Sequence, residues 1–249
     1  MWSQEVRVGC AGWSIPKEHA GCFPEEGSHL VRYAQRLPAV EVNSSFYRPH
    51  RPSTYARWAA ETPEGFAFSL KVPKEVSLKR RLVDAEEPLE RFLDETDALG
   101  SKRGPLLLQL PPSLAFDAEI VASFLDALKA RYGGSIACEP RHQSWFEPEA
   151  DRLLRYREVA RVAADPAVVP EAAEPGGWGG LVYHRLHGSP KVDHSAYPDA
   201  YLDALARRLA EAVVVAPVWC IFDNTALGAA TADALTVLGR LKGAGGSLD

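Results

Sequence analysis

A closed parallel (β/α)8 barrel of the TIM type, an α/β fold, is what this sequence predicts, and three observations predict it. Strand-like and helix-like segments alternate across nearly all of the 249 residues, the order expected of βα units feeding a parallel sheet. One strand-like run, PLLLQL at 105–110, is almost wholly apolar, as a strand covered on both faces must be. Polar residues gather at the ends of these runs, where the sites of such barrels lie. A doubly wound open sheet is the rival. It calls for a glycine-rich phosphate turn after an early strand, whereas GCAGW (9–13) sets Trp13 directly after Gly12.

The elements follow in order. A first strand spans 6–12, and a loop rich in Trp, Pro and Gly covers 13–27. Ser28 is a candidate N-cap for a helix over 28–37. Strand two covers 39–44. Ser53 is a candidate cap for the helix TYARWAAET, which Pro63 ends. Strand three is FAFSLKV (66–72), followed by the basic loop PKEVSLKRRL. A helix at 88–99 closes on Gly100, strand four is PLLLQL, and a helix at 118–132 closes on Gly133-Gly134. Strand five is SIACEPR (135–141). A helix rich in Arg and Leu leads to strand six at 159–164, and the link 166–180 carries few helix signals. Strand seven is LVYHRLHG (181–188). The helix at 198–213 sets Leu202, Leu205, Leu209 and Ala212 on one face. Strand eight is VWCIFDN, and a helix at 229–241 ends the pattern. One domain over 1–242 with some irregular crossovers is expected, and a flexible tail at 243–249.

Composition is that of a globular protein: 46% hydrophobic, 24% charged, formal charge −5. A net acidic chain argues against broad adhesion to nucleic acid, and a chain this long builds a core without metal or disulfide staples. Cys10, Cys22, Cys138 and Cys220 form no CxxC pair; buried free thiols are expected for the three in apolar runs. MWSQEVRVGC lacks a basic start followed by a long apolar run, and no stretch is long and apolar enough for a membrane span. A cytoplasmic location is expected; the sequence does not indicate an oligomeric state.

On a strand, alternate side chains share a face. Glu41 and Asn43 therefore point together, as do Ala137, Glu139 and Arg141, and Tyr183, Arg185 and His187. Lys71 and Gln109 end strands three and four. Strand eight leaves open whether Asp223 or Asn224 turns inward. A lone buried carboxylate costs several kcal/mol, so Glu41 requires partners, and a polar chamber holding Lys71, Arg141 and Arg185 would supply them. The plain alternative is an ion-pair plug with no ligand.

The pieces VGCAGW (8–13), EVNSSFYRPH (41–50), FSLKVPK (68–74), LLLQLPPSLAF (106–116), EPRHQSW (139–145), YHRLHG (183–188) and IFDNTALGAATADAL (221–235) resemble, in this order, the YecE-like family, domain-of-unknown-function family 72. The resemblance extends over nearly the whole chain. It implies a TIM-type barrel with irregular crossovers and supplies no reaction. Two departures stand out. Val76-Ser77-Leu78 occupy the neighbourhood of the family's usual Thr-His pair, and Phe222-Asp223-Asn224 replaces Phe-Asn-Asn.

The expected function is that of an enzyme acting by acid/base chemistry on a small polar or anionic substrate bearing phosphate, carboxylate or sugar hydroxyls. Hydrolase, lyase and isomerase are not distinguished. Glu41, Glu139 and His187 are the catalytic candidates. Glu41 and Glu139 would move protons, as carboxyl pairs do in glycosidases. Arg141, Arg185, His187 and Lys71 would hold an anionic group, since Arg forks suit carboxylate and phosphate. Asn43, Gln109 and Asn224 would orient the substrate, and Trp13, Tyr47 and Trp145 would form a wall. His142 and Asp223 complete the binding set. A Schiff base through Lys71 is a lesser candidate. No cofactor is expected. A divalent metal is the alternative, with Glu41, Glu139, His142, His187 and Asp223 as suitable ligand types. A nucleic-acid or nucleotide module is the rival function, through the basic loop Lys74–Arg81.

Overall fold

The computed structural model describes residues 6–245, with side-chain surroundings through 243. A ten-strand, mostly parallel sheet curls into a nearly closed barrel. The ring is built from β1 (Val6–Ala11), β2 (Ala39–Val42), β3 (Ala67–Lys71), β4 (Arg103–Gln109), β5 (Ile136–Glu139), β6 (Val159–Arg161), β7 (Ala163–Asp165), β9 (Val182–Leu186) and β10 (Val218–Phe222). β10, the last strand, pairs with β1, the first, and with β9 on its other side.

The expected sixth strand is two short pieces separated by Val162. The first half pairs with β5 and the second with β9. One stave therefore changes partners midway, and closure passes through the backbone at Val162. The link after it holds a 3₁₀ turn (Pro170–Ala173) and β8 (Gly176–Gly177), which is antiparallel to β6. This is the irregular crossover expected there. Trp178 at its end anchors on the apolar floor of the barrel.

Helices cover the outside: α1 (His29–Ala34), α2 (Ser44–Tyr47), α3 (Pro52–Glu61), α4 (Glu86–Thr96), α5 (Ala118–Arg131), α6 (Pro148–Tyr156), α7 (Asp199–Ala212) and α8 (Ala229–Gly245). Ser28 caps α1, its hydroxyl accepting from Val31 N at 3.3 Å. Ser53 does not cap α3. That helix starts one residue earlier on Pro52, whose missing N–H costs nothing at a first helical position. β2 stops at Val42, and α2 follows at Ser44 where extended chain is expected. α8 runs to Gly245, into the expected tail; the rest of that tail lies outside the described residues.

Two apolar clusters form. The larger lies between strands and helices and takes in Cys10, Cys138 and Cys220 as free thiols, while Cys22 is exposed. The smaller fills the lower barrel with Leu107, Tyr183, Trp219 and Ile221. Tyr183 and Trp219 stack at 6.2 Å. They fit because neighbouring inner positions are small: Ala39, Ala67, Ala137 and Ala160. Layered filling of this kind makes such a barrel a packed core and leaves its upper end for chemistry. Among the described residues, no helix is long and apolar enough to cross a membrane.

Candidate active site

Above the apolar floor, the inward side chains become polar. Glu41 from β2, Glu139 from β5, Asp223 just past β10, and Arg185 and His187 from the β9 region converge there. Arg185 has no exposed surface and stands at the centre. Its Nε donates to Glu41 Oε2 at 3.0 Å and its Nη2 to Glu41 Oε1 at 2.7 Å, a bidentate fork. Nη2 also lies 2.9 Å from Asp223 Oδ2, and Nη1 donates to Glu139 Oε2 at 3.2 Å. Three carboxylates thus share one guanidinium. Burial alone would lower its basicity, but Glu41, Asp223 and Glu139 outweigh that and raise its pKa well above the ordinary value.

His187 is the second hub. Its Nε2 is 2.8 Å from Glu139 Oε1 and its Nδ1 is 3.2 Å from Asp223 Oδ2. Both partners are carboxylate oxygens that accept, so the doubly protonated imidazolium satisfies both contacts. Burial opposes the charge. Glu139 and Asp223 overcome it, and the pKa of His187 is raised. Burial pushes Glu139 toward the neutral acid, but Arg185, His187 and Arg141 reverse this and hold it well below the usual carboxylate range. Asp223 is likewise lowered against burial by Arg185 and His187. Gln109 Nε2 donates to Glu139 Oε2 at 3.0 Å, and Arg141 Nη2 to Glu139 Oε1 at 3.3 Å. Beneath Glu41, Tyr183 donates its hydroxyl to Oε2 at 3.1 Å and meets Ser69 Oγ at 2.8 Å.

Lys71 is different. It is 4% exposed and its ammonium lies 4.3 Å from the centroid of Phe46. Among the described residues that ammonium makes no hydrogen bond or ion pair, while the Lys71 carbonyl accepts from Ser45 Oγ at 2.7 Å. Burial first, then Arg185, draws its pKa down to about 8 against the pull of Glu41, Asp223 and Glu139.

A cavity of about 240 Å³ opens beside this network. Glu139, Arg141 and His187 give it a polar side, and Phe146, Val162 and Val192 are among its apolar walls. Arg141 is the one expected cation that stays partly open, with its side chain 36% exposed.

The structure therefore brings together Glu41, Lys71, Gln109, Glu139, Arg141, Arg185, His187 and Asp223. Others of the expected set stand elsewhere. Trp13 packs edge-on against Trp58 at 4.8 Å, and Tyr47 is exposed on α2. Trp145 is buried, donating to Leu114 O at 2.9 Å. These three form no common wall. His142 ends the first turn after β5, where its Nδ1 accepts from Ser144 N at 3.2 Å. Asn224 faces outward, its Nδ2 donating to Ser195 O and Asp233 Oδ2, so Asp223 is the inward residue of strand eight. Asn43 follows β2 with its amide oxygen buried and unpartnered among the described residues. Sequence reasoning passed over Ser69 and the supporting role of Tyr183, although strand alternation puts them on the faces of Lys71 and Arg185. It also passed over the apolar wall, which comes from separate loops.

Among the described residues no group of three or more His, Cys, Asp or Glu is arranged to hold a metal ion. The reason is geometric. Carboxylate oxygens of Glu41, Glu139 and Asp223 already face Arg185, and a cation entering there would have to displace a buried guanidinium.

A parallel barrel with a charged, partly open mouth defines the general class, a TIM-type α/β barrel. Within it, the model of the family "Protein of unknown function DUF72" matches residues 7–247, and the chain belongs to that family. UPF0759 protein YunF of Bacillus subtilis (strain 168) is 28% identical over 156 residues, 57% of this chain and 53% of that protein, so the match spans about half of the relative's length. A DUF72 family protein from Enterococcus faecalis V583 superposes with a TM-score of 0.80 at 23% identity, covering 95% of each chain. One from Thermotoga maritima MSB8 gives 0.77 at 23% identity, covering 96% of this chain and 99% of that one. A sugar phosphate isomerase/epimerase from Parabacteroides distasonis ATCC 8503 gives 0.54 at 12% identity, covering 95% and 93%. At these identities the structural likenesses establish the fold alone.

Proposed function

We propose that this chain is an enzyme that protonates an oxygen of a small polar or anionic substrate, with His187 as the proton donor and Arg141 as the anion clamp. One observation carries the reading: His187 and Glu139 belong both to the buried charge network and to the lining of the open cavity. A general acid must be charged, held, and within reach of the ligand. His187 borders the cavity and is held between two carboxylates, so protonating a substrate requires one of these two contacts, to Glu139 or to Asp223, to yield to the substrate oxygen. Glu139 is a poor base, because its carboxyl is kept so acidic; its part is to position and charge His187. Glu41 is turned away onto Arg185 and Tyr183, and Arg185 is engaged by the three carboxylates, so neither has a free edge for substrate. Arg141 gives one Nη2 contact to Glu139, leaving the rest of its fork for phosphate or carboxylate. The cavity is smaller than the roughly 300–1,000 Å³ of drug-sized sites, which favours a small metabolite. Sugar phosphates, the class named for the Parabacteroides neighbour, head the candidates.

The test is a thermal-shift and turnover screen with sugar phosphates, hydroxy acids and keto acids. A ligand should raise the melting temperature of the wild type and fail to do so in Arg141→Ala. With a turned-over ligand, His187→Gln should lower kcat by ~10²–10⁴-fold, the span of general acid–base catalysis, while binding persists. If every ligand found still stabilises both Arg141→Ala and Val192→Trp, which fills the cavity, the site is elsewhere.

A further inference from the structure

A second cavity, of about 350 Å³, lies outside the charge network, between α2, α3 and the segment leading into α4. Phe46, Tyr47, Tyr55 and Phe92 give it aromatic surface, and Arg48 and Lys74 stand at its rim. Its side chains mark it as built for a ligand. The Tyr55 side chain is fully buried, yet its hydroxyl has no hydrogen-bond partner among the described residues; leaving such a group unmet costs ~1–3 kcal/mol. Its pKa is raised well above that of a free phenol, chiefly by burial and then by Glu95, so it remains a donor. The cavity's other cations are matched internally: Lys79 pairs with Glu75 at 2.8 Å, Arg80 with Glu75 at 3.5 Å, and Arg91 with Glu95 at 3.9 Å. Arg48 and Lys74 have no carboxylate partner among the described residues, and Lys74 lies 5.6 Å from the centroid of Tyr47. The cavity therefore presents an unfilled donor at depth, a carboxylate acceptor in Glu95, the exposed ring of Tyr47, and two uncommitted positive charges at the rim.

The geometry points to a binding site for a phosphorylated, amino-substituted heterocycle of nucleoside monophosphate type. The Tyr55 hydroxyl would donate to a ring nitrogen, and Glu95 would accept from the exocyclic amine. The ring would stack on an aromatic side chain, and the phosphate would sit on Arg48 and Lys74. The same chemistry occurs in free nucleotides and in a single strand, so the test separates them.

Calorimetry on the full chain would use adenosine monophosphate, uridine monophosphate, adenosine, inorganic phosphate and a short oligoadenylate. Adenosine monophosphate should bind at least tenfold more tightly than adenosine, phosphate or the uridine nucleotide, which lacks the amine. Tyr55→Phe should weaken it about tenfold without lowering the melting temperature, because the hydroxyl has no partner to lose. Lys74→Ala should weaken it similarly and reduce its salt dependence. Three results would overturn the assignment: no binding of adenosine monophosphate, phosphate binding as well as the nucleotide, or nucleotide affinity unchanged in both variants. Binding of the oligonucleotide alone would overturn it as well, in favour of a strand-binding surface.

Discussion

At the scale of single residues, Arg185 separates two ideas that a residue list merges: a cation that binds substrate and a cation that binds the site together. Its donors face Glu41, Glu139 and Asp223. Removing it strands two buried carboxylates, Glu41 and Glu139, and the partly buried Asp223, and breaking a buried pair in this way costs ~3–5 kcal/mol or more. Arg185→Met should therefore unfold at much lower denaturant. Arg185→Lys should recover little, since a single ammonium cannot fork to three acceptors. A chemical-denaturation midpoint within error of wild type for either variant would contradict the network. Lys71 predicts the opposite sign. Its pKa falls from 10.5 to about 8 on folding, so between those values the unfolded chain binds more protons and stability rises with pH. Below pH 8 the folded protein carries an ammonium that burial disfavours. Lys71→Met should raise stability at pH 7 by ~1–3 kcal/mol, the scale of a pKa displaced this far, and the gain should shrink as pH approaches 10. A loss of stability at pH 7 would show that the amine has a partner.

At the scale of elements, strand alternation made most of the site legible. Glu139 with Arg141, and Tyr183 with Arg185 and His187, share faces as a period of two requires; Tyr183 stays in the floor, and the charged members of both sets meet at the mouth. Legibility failed where the chain leaves the strand. Tyr47, Trp145 and His142 lie on short turns after β2 and β5, and no periodicity says which way a turn aims its side chain. Asn224 failed for the converse reason: beside Asp223 one of the two must face out, and only the register of β10 decides which. The small inner residues were readable and unread. Gly104 makes the point. A Cβ there would lie 2.7 Å from the Trp219 ring and 2.9 Å from the Phe68 carbonyl oxygen. Gly104→Ala should thus destabilise by ~1–3 kcal/mol, as overpacking does, with the loss read from the thermal or denaturant midpoint. A neutral result would mean that the floor of the barrel is looser than the stacked rings imply.

At the scale of the whole molecule, closure sets the pH response, because it alone gathers β2, β5, β9 and β10 around one charge network. The eight-fold alternation was legible; the change of partners at Val162 was not, since apolar residues on both sides of it look like one strand. Glu139 and Asp223 have depressed pKa values in the fold. Their contribution is present above the unfolded value near ~4 and is lost as pH falls through the folded values. The raised pKa of His187 works in the other direction: its contribution is full below ~6.5 and disappears as pH rises through the folded value. His184, drawn down to about 4 first by burial and then by Arg208, gives an opposing slope between ~4 and ~6.5, so wild-type stability alone mixes the two histidines. The difference between wild type and His187→Gln isolates one of them. That difference should be constant and positive from about pH 5 to 6, then decline steadily on the alkaline side as the imidazolium loses its proton between Glu139 and Asp223. Urea unfolding at a series of pH values measures it. A difference that stays flat to pH 9, or grows with pH, would mean that His187 is held neutral in the fold, and the proton donor of the proposed chemistry would go with it.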